Sequence, residues 1–276
     1  YGPVIPRAST TYHDVFLFDI LENSLTNINR DLPKDAIKEA IRVISSIDQG
    51  SVYARNQTFF EYLISGVPVN IFQDDEPRPE RVWLIDYEKP NNNQFHVVNQ
   101  WTFSENETKR PDVLLFINGM PLVVFELKSP SREDVDASDA YLQIRNYLHV
   151  IPSLFVPNVF CVLSDLADTK VGTITANEDR YVQWKTVDGD YSKNKWADYR
   201  TMLDGMCSKE RLLDIIQNFV CFSNSSESTV KILAAYHQYF AVKKAVRSTV
   251  KAINTDGKAG VFWHTQGSGK SLSMVF

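Results

Sequence analysis

Apolar residues recur at helical spacing from Val15 to Ile28 and again from Pro33 to Ser46, with a proline-centred break between the two runs and Asp35 near the second start. Two packed helices are predicted there. Gln57 to Ile64 adds a further helical turn or two, stopped by Ser65-Gly66-Val67-Pro68. The period then changes. Arg81 to Tyr87 and Phe95 to Phe103 are rich in strand-forming residues and flank Lys89-Pro90-Asn91-Asn92-Asn93, so the pair reads as a hairpin. Asp112 to Ile117 and Leu122 to Leu127 form a second pair around Asn118-Gly119-Met120-Pro121. Asn-Gly is a strong reversal signal, and Pro121 leaves the turn type open. The nearly continuous apolar runs VLLF and LVVF mark both as central strands.

Ala137 to Val150 reads as a helix, with Asp134, Asp136 and Asp139 toward its positive end. Val159 to Leu163 is a buried strand, Val171 to Thr175 and Tyr181 to Trp184 extend the sheet, and Lys185 to Trp196 is a polar connector. Ala197 to Met206 and Lys209 to Phe222 read as helices. The SNSSEST run from Ser223 to Thr229 is the best linker, after which Val230 to Val250 is a long helix and Gly260 to Trp263 a short strand. The resulting division is a mixed α/β domain over 1–190, a helical connector over 191–228 and the start of another domain over 229–276.

Composition changes this picture little. The chain is 43% hydrophobic and 23% charged, within the globular range, and a net charge of −5 supplies no global attraction to nucleic acid. Any DNA contact must therefore be local. Cys161, Cys207 and Cys221 are odd in number and lack CxxC spacing, which favours reduced thiols in a cytoplasmic protein over disulfides or zinc. No apolar run approaches the roughly 18 residues of a membrane span. The start at Tyr1 and the end at Phe276, inside an expected helix, read as an excerpt from a longer polypeptide.

Candidate chemistry changes it more. On a strand, residues i and i+2 share a face, so Glu126 and Lys128 point the same way and the adjoining strand can bring Asp112 alongside. Two carboxylates make an oxygen-rich site suited to Mg2+, with Asp112 and Glu126 as metal ligands and Lys128 orienting or deprotonating the attacking water. The bland alternative is a surface ion pair beside a strand-start Asp, against which the apolar flanks count. Gln143 and Tyr147 lie four apart on one helix face and resemble a QxxxY element that supports such nuclease sites. Glu61 is a further acidic candidate, weighed against a solvated helix position.

Thr265-Gln266-Gly267-Ser268-Gly269-Lys270-Ser271 reads as a phosphate-binding loop for ATP. Gly267, Ser268 and Gly269 allow a tight backbone, Lys270 reaches the β and γ phosphates, and Ser271 holds magnesium. His264 occupies the position of the usual first glycine, a variant found in helicase-like motors. Upstream, Gln238 in KILAAYHQYFAVKKAV resembles an adenine-reading Q motif, because an amide can pair with both a donor and an acceptor on adenine. Lys243, Lys244, Arg247 and Lys251 form a basic stretch, read as a solvated face.

With both motifs in place, LIDYEKPNNNQFHVVNQW, RPDVLLFINGMPLVVFELKSP, IPSLFVPNVFCVLSD, AAYHQYFAVKKAV and GVFWHTQGSGKSLSMVF resemble, nearly end to end, the amino-terminal part of type I restriction endonuclease R subunits. The resemblance implies a PD-(D/E)xK restriction-endonuclease-like domain with a mixed central sheet flanked by helices, a helical linker and the truncated start of a RecA-like superfamily 2 motor. It implies Mg2+-dependent cleavage of double-stranded DNA coupled to ATP-driven translocation. Methyltransferase (M) and specificity (S) subunits would be partners, with S-adenosylmethionine used only through them, and this fragment would not hydrolyse ATP. By that resemblance Asp112, Glu126 and Lys128 cut, Gln143 and Tyr147 support them, and Gln238 with Thr265 to Ser271 belongs to the ATP site. Ser129 stands where the family usually has Asn, and the acidic helix common at the family's extreme amino terminus is not recognisable. A repair-type helicase-nuclease and an inert docking module are the competing readings.

Overall fold

The computed structural model describes residues 11–73, 76–128, 137–166, 168–190, 198–224 and 229–276. Three helices open the fold: α1 (Phe18–Ile28), α2 (Lys34–Ser45) and α3 (Val52–Ser65). In α2 the buried positions Ala36, Ile37, Ala40 and Ile44 form one stripe, as the sequence pattern predicts. α3 is longer than the one or two turns expected. Ser51 Oγ caps it by accepting from the Ala54 N–H at 3.3 Å, and Gly66 ends it at φ +76°.

The next two strands correct the first hairpin. β1 (Val67–Gln73) and β2 (Glu76–Val82) pair with each other as a separate antiparallel ribbon, with Val67 opposite Val82. Three prolines, Pro68, Pro77 and Pro79, lie in this ribbon. Its two strands have open outer edges, where a missing N–H costs no ladder bond. β3 (Phe95–Asn99), expected to partner the strand before it, instead pairs with a later one.

After the short β4 (Phe103–Ser104) and β5 (Thr108–Lys109) come β6 (Val113–Ile117) and β7 (Met120–Leu127). They are joined by a two-residue turn in which Asn118 has φ +52° and Gly119 φ +82°, and Ile117 faces Met120. Two successive positive φ values define the type I′ geometry that Asn-Gly favours. Pro121 does not disturb it, because Pro121 falls within β7 where the register shifts between Leu115 and Phe116.

α4 (Ala137–Val150) then crosses to β8 (Phe160–Ser164), which is followed by β9 (Thr169–Gly172) and β10 (Val182–Gln183). The six-stranded sheet has the order β10-β9-β8-β7-β6-β3, parallel only between β7 and β8. The fold is therefore mixed α/β with a mixed central sheet. Alternation sorts its side chains: Leu115, Val123, Phe125 and Val162 join the core under α1 to α3, while Leu114, Val124, Cys161 and Leu163 meet Ala140, Ile144 and Tyr147 of α4.

α5 (Tyr199–Met206) and α6 (Lys209–Asn218) follow. The expected helix to Phe222 ends early, since β11 (Val220–Asn224) pairs with β12 (Thr229–Leu233). The run expected as a linker thus lies at a hairpin end, with 225–228 outside the described residues, and the long helix predicted from Val230 begins later, as α7 (Tyr236–Ile253). Lys231, 2% exposed, pins this hairpin to the sheet domain. Its Nζ donates to Asn56 Oδ1 at 3.0 Å and to the Asn158 carbonyl at 2.6 Å, beneath the Phe60 and Phe222 rings. The chain closes on α8 (Lys270–Ser273); 260–263, expected as a strand, contains none.

Candidate active site

Asp112 immediately precedes β6, Glu126 is the penultimate residue of β7 and Lys128 immediately follows that strand. The alternation that sends Leu114 and Val124 toward α4 sends Asp112, Glu126 and Lys128 to that same face. Lys128 Nζ meets Glu126 Oε1 at 3.0 Å. Asp112 is tied by both oxygens: Oδ2 accepts from the Leu127 N–H at 2.8 Å and Oδ1 from Gln100 Nε2 at 3.2 Å.

Glu126 is only 4% exposed, and its Oε2 has no hydrogen-bond partner among the described residues. The Tyr147 hydroxyl approaches this carboxylate without closing a well-formed hydrogen bond to that oxygen, and an under-satisfied buried carboxylate oxygen is complemented by a cation. Burial pushes the Glu126 pKa up to about 7; Lys128 opposes the rise, and the Asp112 charge adds to it. Two carboxylates and no softer donor fit a hard divalent ion. Among the described residues no group of three or more His, Cys, Asp or Glu side chains forms a cage, so water and phosphate oxygens would complete the coordination.

α4 brings Tyr147 to this cluster. Burial first, then the Glu126 charge, raises the pKa of its phenol, and Gln143 one turn earlier interacts with the same hydroxyl. Asp112, Glu126, Lys128, Gln143 and Tyr147 are therefore neighbours. Glu61 is not among them: it is exposed and accepts from Gln57 at 3.3 Å, a solvated helix position. Ser129, Asp134 and Asp136 lie outside the described residues.

The model of the family described as "Type I restriction enzyme R protein N terminus" matches residues 4–180. The chain belongs to that family. Among curated proteins it is 41% identical over 273 residues to the type I restriction enzyme HindI endonuclease subunit of Haemophilus influenzae, covering 95% of this chain and 26% of that protein. It is 31% identical over 292 residues to a Methanocaldococcus jannaschii protein provisionally named as the MjaIXP type I restriction enzyme endonuclease subunit, covering 96% and 27%. A Staphylococcus aureus type I restriction enzyme endonuclease subunit is 25% identical over 242 residues, covering 86% and 24%. The chain thus spans about a quarter of the length of the relatives it matches. A second family model, SWI2/SNF2 ATPase, matches residues 237–276.

In this R-protein family member the residues expected to form a phosphate loop lie against the start of α7, where His237 and Gln238 meet the Ser268 and Gly269 carbonyls. Gly267 and Gly269 have φ near +81° and +75°, and Lys270 Nζ donates to the His264 and Thr265 carbonyls at 2.8 and 3.0 Å. Gln238 is buried. Its Oε1 accepts from the Ala235 N–H at 2.9 Å and its Nε2 donates to the Gly269 carbonyl at 3.1 Å, so the amide joins helix start to loop. A cavity of about 580 Å³ lies beside Gln238, Gly267 and Ser268, with Thr175, Asn177 and Arg180 of the sheet domain on its other side. Those three carry no motif that sequence could reveal. Thr265, Gln266 and Ser271 complete the loop. Of the basic stretch, Lys243 pairs with Asp214 at 2.9 Å, while Lys244, Arg247 and Lys251 are exposed.

Proposed function

We propose that this chain carries the Mg2+-dependent DNA-cleaving part of a type I restriction enzyme R protein, with a PD-(D/E)xK-type nuclease domain, and continues into a RecA-like superfamily 2 motor. The observation that carries the reading is the Glu126 carboxylate, buried beside Asp112 and Lys128 with one oxygen lacking a hydrogen bond among the described residues. The family match supports the same reading.

Asp112 and Glu126 would hold the ion. When bound, it supplies Lewis-acid charge against the negative charge that develops on the scissile phosphate. Asp112 is already oriented by Leu127 and Gln100, so little reorganisation is required of it. Lys128, drawn to Glu126 at 3.0 Å, places its ammonium where it orients the attacking water and offsets charge on the phosphoryl oxygens. Tyr147 and Gln143 steady the Glu126 side of the site.

The double-stranded DNA substrate, coupling to ATP-driven translocation, assembly with methyltransferase and specificity subunits, S-adenosylmethionine use through those partners and a cytoplasmic setting belong to this proposal for the whole protein. Gln238 and Thr265 to Ser271 are proposed as its ATP site, completed by motor segments beyond these residues, so the fragment by itself does not turn over ATP. No helix among the described residues is long and apolar enough to cross a membrane.

The test is the complete protein carrying Lys128→Ala. Nicking and cleavage should fall by about 100-fold or more while DNA-stimulated ATPase activity holds. Unchanged cutting would favour the inert docking module.

A further inference from the structure

Gln100 falls inside the LIDYEKPNNNQFHVVNQW block but carries no expected role there, and it has an unusual backbone and a side chain that reaches Asp112. It follows the edge strand β3 and adopts φ +53°, a left-handed conformation uncommon for residues other than glycine or asparagine. Three contacts hold it there. Asn99 pairs with Val113, the Gln100 N–H donates to the Asp112 carbonyl at 2.8 Å, and Trp101 is buried against Phe116 with ring centroids 5.5 Å apart. The side chain is solvent-exposed, so packing does not select glutamine. Its one notable contact is Nε2 on Asp112 Oδ1, at 3.2 Å.

We propose that Gln100 is a positioning residue for the cation site, locking the Asp112 carboxylate in the orientation that presents it to a divalent ion shared with Glu126. The proposal rests on the metal-dependent reading above. With Leu127 N–H on Oδ2 and Gln100 Nε2 on Oδ1, the Asp112 carboxylate cannot rotate without breaking a bond on each oxygen. Each oxygen keeps a further lone pair for a ligand. The grip comes from a neutral amide, which orients the carboxylate without cancelling the charge a cation needs; a lysine or arginine here would compete with the ion. Glu126 is the complementary half, one oxygen on Lys128 and the other without a partner among the described residues. Asp112 is thus fixed in advance, and Glu126 is left to be satisfied by the ion.

Partners of metal-ligating carboxylates that lie one bond further out typically change metal affinity by about 10- to 100-fold when removed. Gln100→Gly keeps the left-handed turn at no steric cost and deletes the amide. Gln100→Asn also tolerates the turn and is one methylene too short to make the contact. The experiment measures Mn2+ binding to the complete, nucleotide-free protein by electron paramagnetic resonance, with Asp112→Asn defining the binding that belongs to the site. Both Gln100 variants should weaken that Mn2+ by about 10-fold or more. The Mn2+ concentration for half-maximal DNA cleavage should rise by the same factor, with cleavage at saturating Mn2+ within about twofold of wild type and ATPase activity unchanged.

Wild-type Mn2+ affinity in both variants overturns the role of Gln100 while leaving the cation site standing. Should the wild-type protein bind no more Mn2+ than Asp112→Asn, the cation site itself fails and the proposal with it. If Gln100→Gly does not fold, Gln100→Asn carries the same comparison.

Discussion

At the end of β7, Glu126 is packed to 4% exposure between paired strands and a covering helix, whereas on the approach to the phosphate loop Val261 is 94% and Trp263 76% exposed. Both regions are picked out in the sequence by short motifs. The difference lies in what surrounds them. β7 has strand neighbours on both sides, so its residues have fixed faces and its terminal charges converge. Residues 260–263 have no neighbouring strand among the described residues, and an unpaired segment has no ladder to fix it. A motif becomes a site only where its neighbours hold the backbone. The proposed phosphate loop keeps its local turns, with Lys270 resting on its own loop carbonyls at 2.8 and 3.0 Å.

Glycine substitutions give the sharpest contrast between the two regions. A Cβ added at Gly119 would lie 2.7 Å from the Leu17 carbonyl and 2.9 Å from the Leu21 amide, on top of a φ of +82°. Gly119→Ala should therefore cost about 3 kcal/mol or more, through backbone collision and the left-handed penalty together. Chemical denaturation checks this, and a loss below about 1 kcal/mol would mean that the β6–β7 turn is not packed on α1 as described.

Next in size is the response to pH. The Glu126 pKa is raised from an ordinary 4.5 to about 7, so the folded chain binds a proton more tightly than the unfolded chain. Stability contributed by the protonated group is full below pH 4.5 and is lost as pH rises through about 7. That difference corresponds to about 3 kcal/mol at most. Magnesium should remove this loss by binding the ionised form, and Glu126→Gln should abolish the pH slope between 4.5 and 7 in metal-free buffer. A slope identical in wild type and variant would separate Glu126 from the effect.

The smallest effect belongs to the open region. Gly257 has φ +75° with nothing within 4 Å of an added Cβ, so Gly257→Ala should cost only about 1 kcal/mol. A cost equal to that of Gly119→Ala would show the two regions to be packed alike.

Much of the central sheet and α4 was legible in sequence because its signals are local and agree with one another. The Ala137–Val150 helix, the Asn-Gly turn and the strands on either side of it follow from periodicity and turn chemistry, and parity then places Asp112, Glu126 and Lys128 together. What sequence hid was long-range. β3 pairs with β6, not with the strand before it, because register is decided by which edge is free in the folded sheet. The Ser223–Thr229 run has a linker's composition yet its ends are paired, and Lys231, in a run expected as helix, lies on a strand and is buried on Asn56 and the Asn158 carbonyl. Gln238 was found by its motif, but its bond to the Gly269 carbonyl was not. Gln100 sits in a block that resembles the family, but neither its positive φ nor its reach to Asp112 is written in residue type.

The central claim is that Asp112 and Glu126 share one divalent cation, and anomalous scattering from crystals soaked in manganese chloride tests it most directly. A single peak within about 2.3 Å of an oxygen from each carboxylate is the predicted result. Density confined to other surface carboxylates, with the Asp112–Glu126 position empty at saturating manganese, would contradict it.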